Sequence, residues 1–220
     1  WFFYLLVVGE VFVFNRMGYT IGTPGLWSST HAANAWQAFG ALAFMLGWGL
    51  WMGREHLKGV WDNVRGRNKL DDSEELMSYR TAGIGGLVGL LFMIGWLHAS
   101  GMALLVIVPF LIGMAILYVG IARVIAESGL VYLRGSMMPP TFALYTLGSA
   151  NISPASMANL AFSFAYFTDA KSLAMASMAH CSWITAAIRG RKRMVALSLV
   201  LAGIAAAVSS VAFTLYLGYE

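Results

Sequence analysis

Arg123 and Glu127 stand four residues apart at the end of a long apolar run, followed by Ser128-Gly129 and then Leu130-Val131-Tyr132-Leu133-Arg134. In a helix that spacing places both charges on one face, where they pair, and Arg134 returns to about the same face. Ionisable groups at membrane depth are expensive and usually face a bundle interior or a watery path. Glu127 is therefore the foremost candidate for a proton or cation site, with Arg123 as its modulator or as an anion contact. A structural ion pair just below the membrane surface, held by snorkelling side chains, is the competing reading. A second group, Asn151, Ser153 and Asn159, surrounds the string Gly148-Ser149-Ala150-Asn151-Ile152-Ser153-Pro154. Such amides and hydroxyls satisfy freed backbone groups and hydrogen-bond a polar solute at the bilayer midplane in transporters with discontinuous helices. An ordinary interhelical turn, with Ser153 capping a helix that starts at Pro154, uses the same residues. Glu10, flanked by Val7-Val8-Gly9 and Val11-Phe12-Val13-Phe14, is either a buried functional carboxylate or a helix-end charge reaching the outer interface.

Other chemistries find less support. The four histidines, His31, His56, His98 and His180, have no partners at metal-ligand spacing, so neither a metal site nor a cofactor is expected. His31 and His98 could serve as axial ligands of a pigment or haem, but a polar helix-end residue in the interface is the safer reading. The lone cysteine, Cys181, excludes an intramolecular disulfide framework. No phosphate-binding loop, dinucleotide fingerprint or nucleophile elbow is present, and no nucleophile, base and orienting group occur together, so an enzyme is not expected. The stretch 54–80 mixes its cations with Asp62, Asp71, Asp72, Glu74 and Glu75, which reads as a folded cytoplasmic loop rather than a nucleic-acid arm.

The elements that position these groups follow from composition. Of 220 residues, 59% are hydrophobic and only 11% charged, against about a quarter charged in a soluble domain. A polytopic α-helical membrane protein follows. Four runs without charge, Ala35–Gly53, Thr81–His98, Met102–Ala122 and Met194–Tyr216, are each 18 to 23 residues long, enough to cross a hydrocarbon layer of about 30 Å. The first run, Trp1–Phe14, reads as the end of a fifth crossing, and the chain as an internal piece of a longer membrane protein. His98-Ala99-Ser100-Gly101 leaves room only for a tight antiparallel hairpin. Six of the 14 Lys and Arg residues lie between Arg54 and Arg80 and four more between Arg189 and Arg193, which places both stretches in the cytoplasm and the Asn15–Asn34 loop outside. The Arg189–Arg193 cluster reads as a topology anchor on anionic head groups. Gly85 with Gly89, and Ala202, Ala206 and Ser210 with Gly203 and Ala207, form small-residue seams suited to close helix packing.

Thr141–Thr168 is 28 residues without an ionisable group, long for one crossing and short for two. Its middle is rich in helix breakers, so 141–168 is expected to be a broken or re-entrant segment of two half-helices, followed by an interfacial helix over Asp169–Ile188. The rival is two crossings, Ala155–Thr168 and Ser172–Ile188. Non-helical backbone at membrane depth survives only when buried in protein or lining a watery cavity, which makes any break a pointer to function. The expected fold is thus an all-α transmembrane helical bundle over 1–220 as a single domain, with a re-entrant or broken-helix segment.

Several strings carry a resemblance. His31-Ala32-Ala33-Asn34-Ala35-Trp36-Gln37-Ala38-Phe39-Gly40-Ala41, Leu50-Trp51-Met52-Gly53-Arg54-Glu55-His56-Leu57, Ser78-Tyr79-Arg80-Thr81-Ala82, Gly95-Trp96-Leu97 with Gly101-Met102, and Ala122-Arg123-Val124-Ile125-Ala126-Glu127-Ser128-Gly129-Leu130 together resemble a family of uncharacterised bacterial membrane proteins related to oligopeptide transporters. The resemblance implies internal repeats, broken helices and proton-coupled secondary transport, and it leaves the substrate open. The Asn-Pro-Gly element of the better-known oligopeptide transporters is absent, its nearest string being Asn151-Ile152-Ser153-Pro154.

The expected function is proton-coupled transport of a small polar solute across a bacterial inner membrane. Glu127 would be protonatable and the Asn151–Pro154 break part of the solute pocket. The alternative is a non-transporting scaffold subunit of a larger membrane complex, which the 14% aromatic content would serve equally well. Lipid is the expected surrounding in both, a homo-oligomer or larger complex is compatible with both, and no nucleic acid is expected.

Overall fold

The computed structural model describes Leu5, Val8, Gly9, Phe12, Val13, Arg16, 32–67, 77–130, Leu133, Gly135, 137–167, 174–187 and 192–219. Among these the regular structure is entirely helical: α1 (Ala32–Met52), α2 (Arg54–Val64), α3 (Tyr79–Ala99), α4 (Leu104–Ser128), α5 (Pro139–Leu147), a 3-10 turn (Ser149–Asn151), α6 (Pro154–Phe167), α7 (Ala174–Ala187) and α8 (Lys192–Tyr219). The described residues before Phe14 are helical too. The chain is an all-α membrane protein. Tyr79–Ala99, Leu104–Ser128 and Met194–Tyr219 are long and apolar enough to cross a bilayer. The fourth expected crossing forms as α1, with 21 residues, but is not one of these three. Gln37, Asn34 and three tryptophans make it less apolar than its length alone implies.

Two compact units divide the chain, the first formed by 1–54 and 89–180, the second by 55–88 and 181–220. The first is built around α4. Met102, Val106, Ile107 and Phe110 are buried with Ala143, Ile152 and Leu160, while Leu117, Ile121 and Ile125 form a second cluster further along the same helix. α1 runs in the direction of α4, Leu42 lying against Gly120 and Gly49 against Arg123. Shared direction agrees with the parity expected from the positions of the cations. In the second unit α2 packs on the start of α3: a Cβ at Gly83 would meet Val64 Cγ2 at 2.5 Å, and His56 stands edge-on to Tyr79 with ring centroids 5.8 Å apart.

α4 ends where Gly129 takes a left-handed conformation, φ 69°, and its N–H donates to the Ile125 carbonyl. Glycine stops a helix in this way because it bears no Cβ to clash. The described residues between Gly129 and Met138 are not helical. They return along α4, Leu133 packing on the Leu117–Ile121–Ile125 cluster and Gly135 lying against Leu117 and Ile121. Helix resumes at Pro139-Pro140, whose fixed φ and missing N–H suit the first helical positions. α5 therefore starts beside Gly113, where a Cβ would meet the Pro139 Cα at 3.3 Å and the Phe142 ring at 3.0 Å. At 1.5 Å per residue Gly113 is about 14 Å from the start of α4 and about 22 Å from its end. α6 then descends to Phe167, whose ring contacts Phe110 and Tyr118 at 6.0 and 5.9 Å.

The 141–168 stretch accordingly forms two helices around a 3-10 turn. That turn lies beside the α3–α4 connection, at the start of α4: the Ser156 hydroxyl accepts from Ala103 N–H at 3.0 Å. The opposite ends of the two helices lie along the middle of α4, Pro139 against Gly113 and Phe167 against Phe110 and Tyr118. Ala174–Ala187 is a 14-residue helix, shorter than the roughly 20 residues of a crossing. Apart from Arg16, the Asn15–Asn34 loop up to His31 falls outside the described residues, as do the Asp71–Glu75 acid cluster, the 168–173 connection and most of the Arg189–Arg193 cluster.

Candidate functional site

Arg123 and Glu127 pair as their spacing predicts. Arg123 Nε donates to Glu127 Oε1 at 2.8 Å, with side chains 41% and 63% exposed within this chain. The guanidinium lies over Gly49 of α1, so close that a Cβ there would collide with Nη1. The pair thus sits in the seam between α1 and α4, near the end of the crossing. Among the described residues the arginine has one ionic partner.

Asn151, Ser153 and Asn159 occupy the other end. Asn151 Nδ2 donates to the Leu147 carbonyl at 2.8 Å, closing the last turn of α5. Ser153 Oγ accepts from Ser156 N–H at 3.3 Å and donates to Ser156 Oγ at 2.9 Å, which makes it the cap of α6. Asn159 Nδ2 donates to the Ser100 and Ala155 carbonyls at 2.9 and 3.0 Å, tying α6 to the α3–α4 connection. From Ala103 to Glu127 is 24 residues, about 36 Å along α4. The two candidate groups are therefore separated by the length of a crossing. Glu10 lies outside the described residues.

Between these ends the structure presents a group that residue spacing did not single out. Thr141, in the first turn of α5, is 3% exposed, and among the described residues its hydroxyl has no hydrogen-bond partner. Met138, at the cap position, supplies no side-chain hydrogen bond. A helical Cα–Cβ bond tilts toward the helix N-terminus, so the hydroxyl is carried toward the uncapped, partially positive end of α5. Buried hydroxyls are almost always paired, and an orphan calls for an explanation. Around this end Phe142 packs at a tilt against Phe39 and Trp36, with ring centroids 4.8 and 6.0 Å apart, and Ala35, Phe39 and Met137 are buried together. The only local signal was Met137-Met138-Pro139-Pro140-Thr141, a helix start, and nothing in it gave a depth.

Two of the histidines lie against backbone carbonyls. His180 Nε2 lies 2.6 Å from the Leu130 carbonyl, in the non-helical return after α4, and His98 Nδ1 lies 3.4 Å from the Met102 carbonyl. His180 thus satisfies one acceptor that the end of α4 leaves free. His31 falls outside the described residues.

Nothing among curated proteins or solved structures matches the chain. One family model does match, over residues 1–220, and by that match the protein belongs to a family of unknown function, DUF6785.

Proposed function

We propose that the protein is a secondary transporter of a small polar solute, coupled to protons, in a bacterial inner membrane. The observation that carries this reading is the start of α5: a helix that begins halfway along a crossing, reached by non-helical backbone, with a buried hydroxyl that has no partner among the described residues. Protein interiors in lipid tolerate such backbone where it is enclosed or lines a watery path. Helix ends at mid-depth supply partial charges to a bound solute without an ionised side chain. The solute contact is accordingly assigned to Thr141, and Asn151, Ser153 and Asn159 become the supports that hold α6 in place. Glu127 is the proton-accepting group at the far end of the path, and Arg123 holds its carboxylate in the seam with α1. The resemblance of the Arg123–Leu130 string to oligopeptide-transporter relatives points the same way, without naming a substrate.

Proteoliposomes with an imposed pH gradient and a panel of labelled small polar solutes test the assignment. Glu127→Gln should abolish gradient-driven uptake while insertion remains normal. Thr141→Val should abolish both gradient-driven uptake and solute exchange at equal pH, because it removes the contact rather than the coupling. Unchanged uptake by both variants would reject the proposal.

A second reading, a scaffold subunit of a larger membrane complex, is favoured by α3 and α8, whose apolar windows contain no buried residue. Purification of a stable multi-protein assembly that retains this chain and transports no solute would select it.

A further inference from the structure

α2 carries cations and a tryptophan on one side and packs by the other. Taking about 100° per residue, Arg54, Lys58, Trp61 and Arg65 fall within roughly 60° of arc, with Leu57 about 40° beyond it on the Trp61 side. All five are exposed. The remainder of the helix surface is engaged: His56, opposite the stripe, meets Tyr79, and Val64, about 90° from the centre of the stripe, fills the space at Gly83, both on the first two turns of α3. Since α3 is long and apolar enough to cross a bilayer, α2 is held at the level where that crossing begins, which is the head-group layer. Among the described residues the cations are not paired with neighbouring acids. Glu55 and Asp62 lie on the flank of the stripe, yet among the described residues Arg54, Lys58 and Arg65 form no ion pair with a carboxylate. Two of them stack instead on indoles, the Arg54 guanidinium 4.7 Å from the Trp51 ring and the Arg65 guanidinium 4.9 Å from the Trp61 ring.

We propose that this exposed side of α2 is a docking surface for anionic phospholipid head groups, lying in the plane of the interface. Charge complementarity selects that occupant. Unpaired Lys and Arg attract the phosphates, tryptophan is at home at head-group level, and Leu57 enters the upper acyl region. The long aliphatic stems of Lys58 and Arg65 lie along the apolar boundary while their charges reach the phosphate plane. This assignment is independent of transport.

The intact protein, reconstituted in vesicles of phosphatidylcholine alone or mixed with phosphatidylglycerol, tests it. A fluorophore on Leu57→Cys, in a Cys181→Ser background, should be quenched by nitroxides carried at head-group and shallow acyl depth and little by an aqueous quencher. The protein should also be enriched in phosphatidylglycerol over phosphatidylcholine among its co-purified lipids. Lys58→Gln with Arg65→Gln should lower that enrichment about thirtyfold, from about 1 kcal/mol for each cation near the surface. Strong aqueous quenching at Leu57, whether α2 then faces water or a soluble partner, would overturn the proposal. So would equal lipid enrichment in the double variant and the parent, measured where circular dichroism shows both folded.

Discussion

Thr141 and Arg123 show how different two polar groups in the same unit are. The threonine is buried and has no partner among the described residues, so its hydroxyl contributes nothing to folding and carries a desolvation cost. Replacing it by valine, of nearly the same shape, should leave the thermal midpoint of the purified protein unchanged or raise it. A fall in the midpoint would mean that the hydroxyl is a structural partner, and the solute contact would lose its basis. The arginine is half exposed and flexible, and the feature that fixes it is the missing side chain at Gly49. Gly49→Ala should push the guanidinium off its place and lengthen the bond to Glu127. Its effect on stability should stay below about 1 kcal/mol, since an exposed ion pair contributes little and the clashing atom is the far end of a long side chain. Coupled uptake should nevertheless fall if the pair positions the carboxylate. Parallel measurement of thermal midpoint and uptake separates these effects. The i, i+4 pair was legible from spacing alone, whereas the role of Gly49 was not, because it depends on a helix more than seventy residues away.

At the scale of elements, the hairpin of α5 and α6 is held by a small network at its turn. Ser156 is fully buried, accepts from Ala103 N–H and shares its hydroxyl with Ser153. Ser156→Ala would leave a backbone N–H inside the protein without an acceptor, a loss of roughly 1–3 kcal/mol. Ser153→Ala removes only the cap and should cost about 1 kcal/mol. Thermal denaturation of the two variants should therefore rank Ser156→Ala as the more damaging. The reverse order would place the support of the hairpin in the cap rather than in the tie to α4. The residues from Gly148 to Pro154 announced this turn, because glycine, serine, asparagine and proline act through local geometry. They did not announce its depth. Depth is set by Pro139 meeting Gly113 and by Phe167 meeting Tyr118, contacts between residues far apart in sequence. For the same reason the end of α4 went unread: Leu130-Val131-Tyr132-Leu133 is as apolar as any helix, and it is Gly129 that stops α4, with Leu133 packing on the cluster around Leu117.

For the molecule as a whole, the apolar surface is divided unevenly among the crossings. Nearly half of the apolar window of α4 is buried within the chain, and none of that of α8. Leucine-rich faces need no protein partner, since lipid tails are equally apolar. The seam of Ala202, Ala206 and Ser210, with Gly203 and Ala207, is different. Small side chains gain little against lipid but let a second backbone approach closely, and all five are exposed in this chain. The seam is therefore expected to meet another helix in the assembled protein. Ala206→Leu would place three extra carbon atoms into that contact, at a cost of roughly 1–3 kcal/mol, whereas Leu201→Ile changes shape without adding volume. The thermal midpoint of the intact protein in mild detergent should drop for Ala206→Leu and hold for Leu201→Ile. A disulfide or cross-link formed from Ala206→Cys in the Cys181→Ser background would then identify the neighbour, distinguishing a helix of the same polypeptide from another subunit by the mass of the adduct. Equal midpoints in the two variants, with no adduct, would place the seam against lipid and withdraw the structural support for the scaffold reading.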